Sequence, residues 1–220
     1  MSAIFLDENE IDTSVSEKIK IKKTEVLSNR WALLNEITYN YQRRDGSWEV
    51  QNREAYDRGD GACILLYNRC TKKVILTRQF RLPTYLNNNP GGMMIEACAG
   101  LLDKDYPEAC IIKETEEETG YRIPKAEKIF DSYMSPGSVT ELIHFFIGEY
   151  SEDMKVSEGG GLKEEQEDIE VLEIDFEEAY AKIAKGEIKD GKTIMLLQHM
   201  KINDFINNTV ETELVQEQES

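Results

Sequence analysis

Apolar and polar positions along this chain recur with two periods, and the change from one to the other marks out its elements. Short apolar runs bounded by polar turns predict strands at Ala62-Cys-Ile-Leu-Leu-Tyr67, Lys73-Val-Ile-Leu-Thr77, Met93-Met-Ile-Glu-Ala97 and Leu142-Ile-His-Phe-Phe-Ile147. Ile37-Thr-Tyr-Asn-Tyr41 and Trp48-Glu-Val-Gln51 flank Arg44-Asp-Gly-Ser47, whose Asp-Gly dipeptide suits a tight turn, so a hairpin or small sheet is expected there. Helical spacing governs residues 107–120: Ala109 and Ile112, with Ile111 beside them, form an apolar face. Pro107 fits the first turn of that helix and Gly120 its stop. Two further helices are predicted, over 176–185 before Gly186 and over roughly 193–206. Strands alternating with helices give an α/β chain with a mixed sheet between helices. Residues 1–24 are polar and weakly periodic, 25–58 form an N-terminal β-subdomain, 59–206 the main α/β domain, and 207–220 an acidic tail expected to be disordered.

Composition narrows what this architecture can do. A chain of 220 residues can bury a core without disulfides or structural metal. With 26 Lys and Arg against 43 Asp and Glu, its formal charge of −17 argues against a nucleic-acid partner or an anionic membrane. The four cysteines show no CxxC spacing, and His144 and His199 do not complete a zinc cluster with them, so reduced, mostly buried thiols are expected. His144 alternates with core positions of its strand and reads as structural. Neither a leader pattern nor an apolar run of membrane-spanning length occurs, which predicts a soluble cytoplasmic protein.

Candidate chemistry lies in the 107–120 helix. Glu114, Glu117 and Glu118 stand at i, i+3 and i+4, so their carboxylates share one side. Like charges at that spacing repel, and converging carboxylate oxygens suit a hard divalent cation such as Mg²⁺. A solvated acidic helix is the bland alternative. Asp103, Asp105 and Glu108 put negative charge near the positive end of the helix dipole.

The wider pattern resembles the Nudix box, Gly-x5-Glu-x7-Arg-Glu-U-x-Glu-Glu-x-Gly-U with U bulky and aliphatic. It is matched at Gly100, Glu114, Glu117, Glu118 and Gly120. There are departures: the first loop is one residue short, Asp105 and Lys113 replace the Glu–Arg pair while keeping its charges, and Thr115 and Tyr121 replace the U residues. Across most of residues 25–206 the chain is similar to the nucleotide-sugar branch of Nudix hydrolases. Tyr56-Asp-Arg-Gly-Asp-Gly-Ala-Cys-Ile-Leu-Leu-Tyr-Asn68, Arg78-Gln-Phe-Arg81, Ile95-Glu-Ala-Cys-Ala-Gly-Leu-Leu-Asp103, Tyr133-Met-Ser-Pro-Gly137, Thr140-Glu-Leu-Ile-His-Phe-Phe146 and Asp190-Gly-Lys-Thr193 carry that likeness. Pro136 lies where ADP-ribose pyrophosphatases carry a proline.

That resemblance implies a Nudix α/β/α sandwich with a small N-terminal β-subdomain exchanged across a homodimer. It implies Mg²⁺, with Mn²⁺ as a substitute, held by Glu114, Glu118 and the Ala99 carbonyl, with Glu117 joining through water or supporting its neighbours. Glu167, in the loop Glu158-Gly-Gly-Gly-Leu-Lys-Glu164-Glu165-Gln-Glu167-Asp168, best matches the catalytic base and a further metal ligand; Glu165 is the rival. The Gly- and Glu-rich composition alone reads as a flexible surface loop, and the resemblance makes it one that closes over substrate. Arg81 matches a phosphate contact, Trp31, Arg53 and Glu54 the nucleobase end from the partner subunit, and Glu141 and Lys192 further ligand contacts. Ala99, Gly100, Leu101 and Glu118 lie beside the diphosphate in the same likeness. Because the protein is so acidic, Arg53, Arg81 and Lys192 are the candidates to reverse the field locally. The expected reaction is hydrolysis of a nucleotide sugar's diphosphate, foremost GDP-mannose to GMP and mannose 1-phosphate. The alternatives are ADP-ribose to AMP and ribose 5-phosphate, and a Nudix-like regulatory module that binds nucleotide without turnover.

Overall fold

The computed structural model describes residues 17–102 and 106–206. Chain contacts divide it into two units, one running to Asp60 and including Tyr133–Leu142, the other Gly61–Ser132 with the chain from Ile143 onward. The first unit is an antiparallel sheet of β1 (Ile19–Asn29), β2 (Leu33–Gln42) and β3 (Trp48–Asp57) in that order. The expected hairpin is β2–β3: Arg43 N–H donates to the Ser47 carbonyl, and Asp45 accepts from the Ser47 amide at 2.9 Å, closing the Asp-Gly turn. β1 begins at Ile19, inside the stretch read as polar. Only Ile19 and Ile21 alternate there, a weak signal, and pairing with Tyr41 and Tyr39 of β2 extends the strand. In the same unit, Tyr56 N–H donates to Ser138 and Thr140 N–H to Tyr56, so residues 138–140 run beside the end of β3.

The second unit is the expected mixed sheet between helices. Its strands are β4 (Gly61–Asn68), β5 (Lys73–Phe80), β6 (Met93–Glu96), β7 (Cys98–Leu101), β8 (Glu127–Tyr133), β9 (Leu142–Glu149) and β10 (Glu170–Asp175). The helices are α1 (Leu82–Leu86), α2 (Pro107–Thr119), α3 (Phe176–Ala184) and α4 (Gly191–Ile202). The sheet order is β10-β5-β4-β9-β8, with β6 also on β5 and β7 also on β4. β4 and β9 are parallel, while β10–β5, β4–β5, β5–β6 and β4–β7 are antiparallel. β4 is buried throughout, as its unbroken apolar run requires. Its Ala62, Ile64 and Leu66 join Ile111 of α2, Phe146, Tyr121 and Tyr150 in one core cluster. By strand alternation Cys63, Leu65 and Tyr67 face the other way, where α4 contributes buried Leu196, Leu197 and Met200.

Three details depart from the sequence reading. The run 93–97 forms β6 as far as Glu96, and an unannounced strand, β7, follows from Cys98, because the chain leaves β5 for β4 at Ala97, which sits on neither ladder. β8 and β10 were not announced by any apolar run; they are the ends of the sheet order, where half-exposed charged strands suffice. α4 starts at Gly191 and stops at Ile202, because Asp190 caps it and a turn follows. Residues 1–16, Asp103, Lys104, Asp105 and the acidic 207–220 segment lie outside the described residues, and so do the expectations placed on them.

Candidate active site

The helix that carries the acidic residues begins where its sequence says. Pro107 occupies the first turn and Gly120 ends α2 in the left-handed region at φ 80°, its N–H donating to the Glu116 carbonyl. Thr115, which replaces an aliphatic residue of the box, is fully buried, and its hydroxyl donates to the Ile111 carbonyl at 2.6 Å. That internal bond lets a hydroxyl occupy an apolar position. Tyr121, the other substitution, is buried and meets the Tyr150 ring edge-on at 4.8 Å.

The three helix carboxylates have different surroundings. Glu118 is only 2 % exposed, and its Oε2 has no hydrogen-bond partner among the described residues. Burial, with the Glu114 and Glu167 carboxylates nearby, pushes its pKa up to about 8, against the opposing pull of the Cys98 thiol and Arg81. Glu114 packs directly on Gly100: a Cβ there would overlap its side-chain carbons and carboxylate. Glu117 forms an ion pair with Lys113 at 3.1 Å. Asp105, the expected brace for Lys113, lies outside the described residues. Among the described residues, no three His, Cys, Asp or Glu side chains are gathered at ligand distance.

Even so, the donor set fits a divalent cation. A buried carboxylate oxygen without a partner is costly, and burial, reinforced by two neighbouring carboxylates, favours the protonated form of the same group. A cation beside Glu118 and Glu114 would supply the missing partner and displace the proton.

Glu167 reaches this cluster through the glycine loop, which is anchored rather than loose. Gly160 N–H donates to Glu118 O at 2.9 Å and Gly161 N–H to Glu117 O at 3.1 Å, so the loop caps the carbonyls at the end of α2. Gly161, at φ 78°, packs so closely on Glu167 that a Cβ would overlap its carboxylate. Leu162 N–H donates to Glu167 Oε2 at 2.9 Å and fixes that carboxylate. Glycine here serves close approach, which composition alone reads as mobility.

Two cations belong to the same unit. Arg81, at the start of α1, binds Glu96 through Nε at 3.0 Å and Nη2 at 2.7 Å, both to Oε2. Glu96 is buried, so this pair neutralises it. Lys192 Nζ lies 2.8 Å from Asp190 Oδ1. Glu96 and Asp190 were not expected as site residues. A single acid inside the apolar run Met93-Met-Ile-Glu-Ala97 is the signal that could have found Glu96, because a buried carboxylate needs a cation. Ala99, Gly100 and Leu101 lie on β7, opposite Cys63, Ala62 and Gly61 of β4. A cleft of about 730 Å³ in this unit, lined among others by Arg78, Met93, Ile95, Val171 and Lys182, shares none of these residues.

The remaining candidates belong to the first unit. Trp31, in the β1–β2 turn, stacks on Tyr56 at 6.5 Å and carries the Arg58 guanidinium 5.2 Å above its ring. Arg58 Nε also lies 3.4 Å from Glu141. Trp31 and Glu141 are therefore joined by Arg58, with Tyr56 stacked on the indole, and neither Arg58 nor Tyr56 is marked for this role by the sequence. Arg53 and Glu54 are exposed on β3, with the Arg53 guanidinium donating to the Asn52 carbonyl at 2.7 Å. His144 binds Asp131 at 2.6 Å. Among the described residues, no helix is long and apolar enough to cross a membrane.

Comparison with known proteins agrees with the fold and the box. Residues 18–56 match the family described as GDP-mannose pyrophosphatase NudK N-terminal domain, and residues 57–197 match the NUDIX domain. A protein from Pectobacterium atrosepticum named GDP-mannose pyrophosphatase is 56% identical over 191 residues, covering 87% of this chain and 98% of the relative. Proteins of the same name from Cronobacter sakazakii and Escherichia coli O157:H7 are 52% and 51% identical over 193 residues, covering 88% of this chain and 100% of each relative. With matches this long on both units, the chain belongs to the Nudix family of hydrolases.

Proposed function

We propose that this Nudix pyrophosphatase is a Mg²⁺-dependent enzyme that hydrolyses GDP-mannose to GMP and mannose 1-phosphate, and that it works as a cytoplasmic homodimer. The observation that carries the chemistry is Glu118: a buried carboxylate with one oxygen unpartnered, beside Glu114 and Glu167. The choice of substrate rests on the relatives named GDP-mannose pyrophosphatase, which this chain matches nearly end to end.

Glu114, Glu118 and the Ala99 carbonyl would hold the ion, with Glu117 joining through water. When bound, Mg²⁺ offsets the charge of the diphosphate and polarises the phosphorus–oxygen bond that breaks. Gly100 lets the β7 backbone lie against Glu114, bringing the Ala99–Leu101 segment close to a diphosphate. Glu167, fixed through Oε2 by Leu162 N–H, takes the proton of the attacking water. Water oxygen bonds to one phosphorus as the bridging bond to the other phosphate breaks, and that phosphate leaves with the electron pair. Arg81 and Lys192 receive phosphate charge, each already oriented by a carboxylate. Trp31, Arg53 and Glu54 serve the nucleobase end, supplied by the partner subunit, and Glu141 is a further ligand contact.

Guanine and adenine differ in their hydrogen-bonding edges, so the base decides the substrate. GDP-mannose and ADP-ribose, each incubated with the protein and Mg²⁺ or with chelator, are to be compared by release of GMP or AMP. Faster GMP release, abolished by chelator, supports the reading. Preference for ADP-ribose, or turnover indifferent to chelator, contradicts it.

A further inference from the structure

Ala97 is the residue at which the chain crosses from the β5 ladder to the β4 ladder, so its N–H has no strand partner. A buried amide left there would be costly. Its partner instead comes from the far end of the sequence: Ala97 N–H donates to Thr193 Oγ1 at 2.7 Å. Thr193 is fully buried. Its own hydroxyl proton is given to Asp190 Oδ2 at 2.7 Å, and the same oxygen accepts the Thr193 N–H at 2.9 Å. The donor and acceptor sense of this relay is therefore fixed: Asp190 takes the hydroxyl proton, which turns the Thr193 lone pairs towards Ala97.

What the relay holds is the segment between Glu96 and Gly100. Glu96, directly before Ala97, anchors Arg81. Cys98, directly after it, lies against Glu118, and Gly100 lies against Glu114. Lys192 sits on the same cap, bound to the other oxygen of Asp190.

We infer that Thr193 and Asp190 are positioning residues for the reaction: through the Thr193 hydroxyl they set the Ala97–Ala99 backbone, and with it the placement of the Ala99 carbonyl and the Glu118 carboxylate. Neither touches the reacting atoms. The inference rests on the reading of the Ala99–Glu118 region as the site of hydrolysis.

The test is the series Thr193→Ser, Thr193→Cys and Thr193→Val, which keeps, weakens and removes the acceptor. Three quantities are measured: kcat and KM with GDP-mannose, Mn²⁺ affinity without substrate by spin resonance, and hydrogen exchange of the Ala97 amide. The Ser variant is expected within about twofold of the parent in all three. The Val variant is expected to lose about tenfold or more in kcat and in Mn²⁺ affinity, with KM changing far less and the Ala97 amide exchanging freely. Should Val fail to fold, the Cys variant carries the test, with a several-fold loss in kcat and Mn²⁺ affinity at nearly constant KM. Equal kcat and Mn²⁺ affinity across the folded members overturns the inference, as does a Ser variant as impaired as Val or Cys. Absence of turnover in the parent refutes the functional reading instead. The Mn²⁺ affinities and amide exchange then still decide whether the relay places the carboxylates.

Discussion

Glu118→Gln should cost the protein its activity and yet stabilise its metal-free form in a way that depends on pH. The side chain is 2 % exposed, and its pKa rises from an ordinary 4.5 to about 8 on folding. The folded state thus holds the proton more tightly than the unfolded chain, so the carboxyl costs nothing below pH 4.5 and ever more as pH climbs towards 8. At pH 7 the linkage amounts to about 3 kcal/mol against folding, and at pH 5 to about 1 kcal/mol. Gln has no such proton equilibrium, and burying its amide costs about 1–3 kcal/mol at either pH. The stability of the variant minus that of the parent should therefore grow by about 2 kcal/mol between pH 5 and pH 7. For a chain of this length that corresponds to roughly 4–8 °C in relative Tm. Thermal unfolding of both proteins with chelator, at the two pH values, measures it. A difference that stays constant with pH would refute the argument that burial and neighbouring carboxylates load Glu118. Saturating Mg²⁺ should reverse the order, since at about one hundred times Kd it adds about 2.7 kcal/mol to a protein that binds it.

Glu167→Gln should lower kcat by about 10²–10⁴ at similar KM, measured by GMP release, because it removes the base while an amide oxygen can still accept Leu162 N–H. Gly100→Ala forces a Cβ into Glu114 and should cut kcat by at least tenfold while the protein still folds, which circular dichroism and kinetics together check. Arg81→Ala leaves buried Glu96 without its half-exposed guanidinium and should destabilise the fold by about 1–3 kcal/mol in urea, beyond any loss of substrate affinity. If the partner subunit supplies Trp31, then Trp31→Ala mixed with Glu118→Gln should recover turnover that neither variant shows alone.

Much of the fold was legible because the strongest signals are local. The all-apolar β4 run, the Asp-Gly hairpin and the Pro-to-Gly frame of α2 each reflect a physical requirement that neighbouring residues satisfy. The sheet ends β8 and β10 carry no apolar run, since one edge of each is half-exposed and charge is tolerated there. At the site, the spacing of Glu114, Glu117 and Glu118 placed them on one helix, but not in one environment. Spacing sets direction alone: the Lys113–Glu117 pair lies within one turn of α2, but the burial of Glu118 depends on β7 and the glycine loop, which lie outside the helix. The Thr193–Ala97 bond ties α4 to the junction of β6 and β7, and no local pattern announces it.

Calorimetric titration of Mg²⁺ at pH 7 in two buffers of different ionisation enthalpy shows whether the ion takes the place of the Glu118 proton. A Glu118 that titrates at about 8 holds about nine-tenths of a proton at pH 7, so binding should release close to that amount from the parent and almost none from Glu118→Gln. Equal affinity in the two proteins, with heats independent of buffer, would contradict the account.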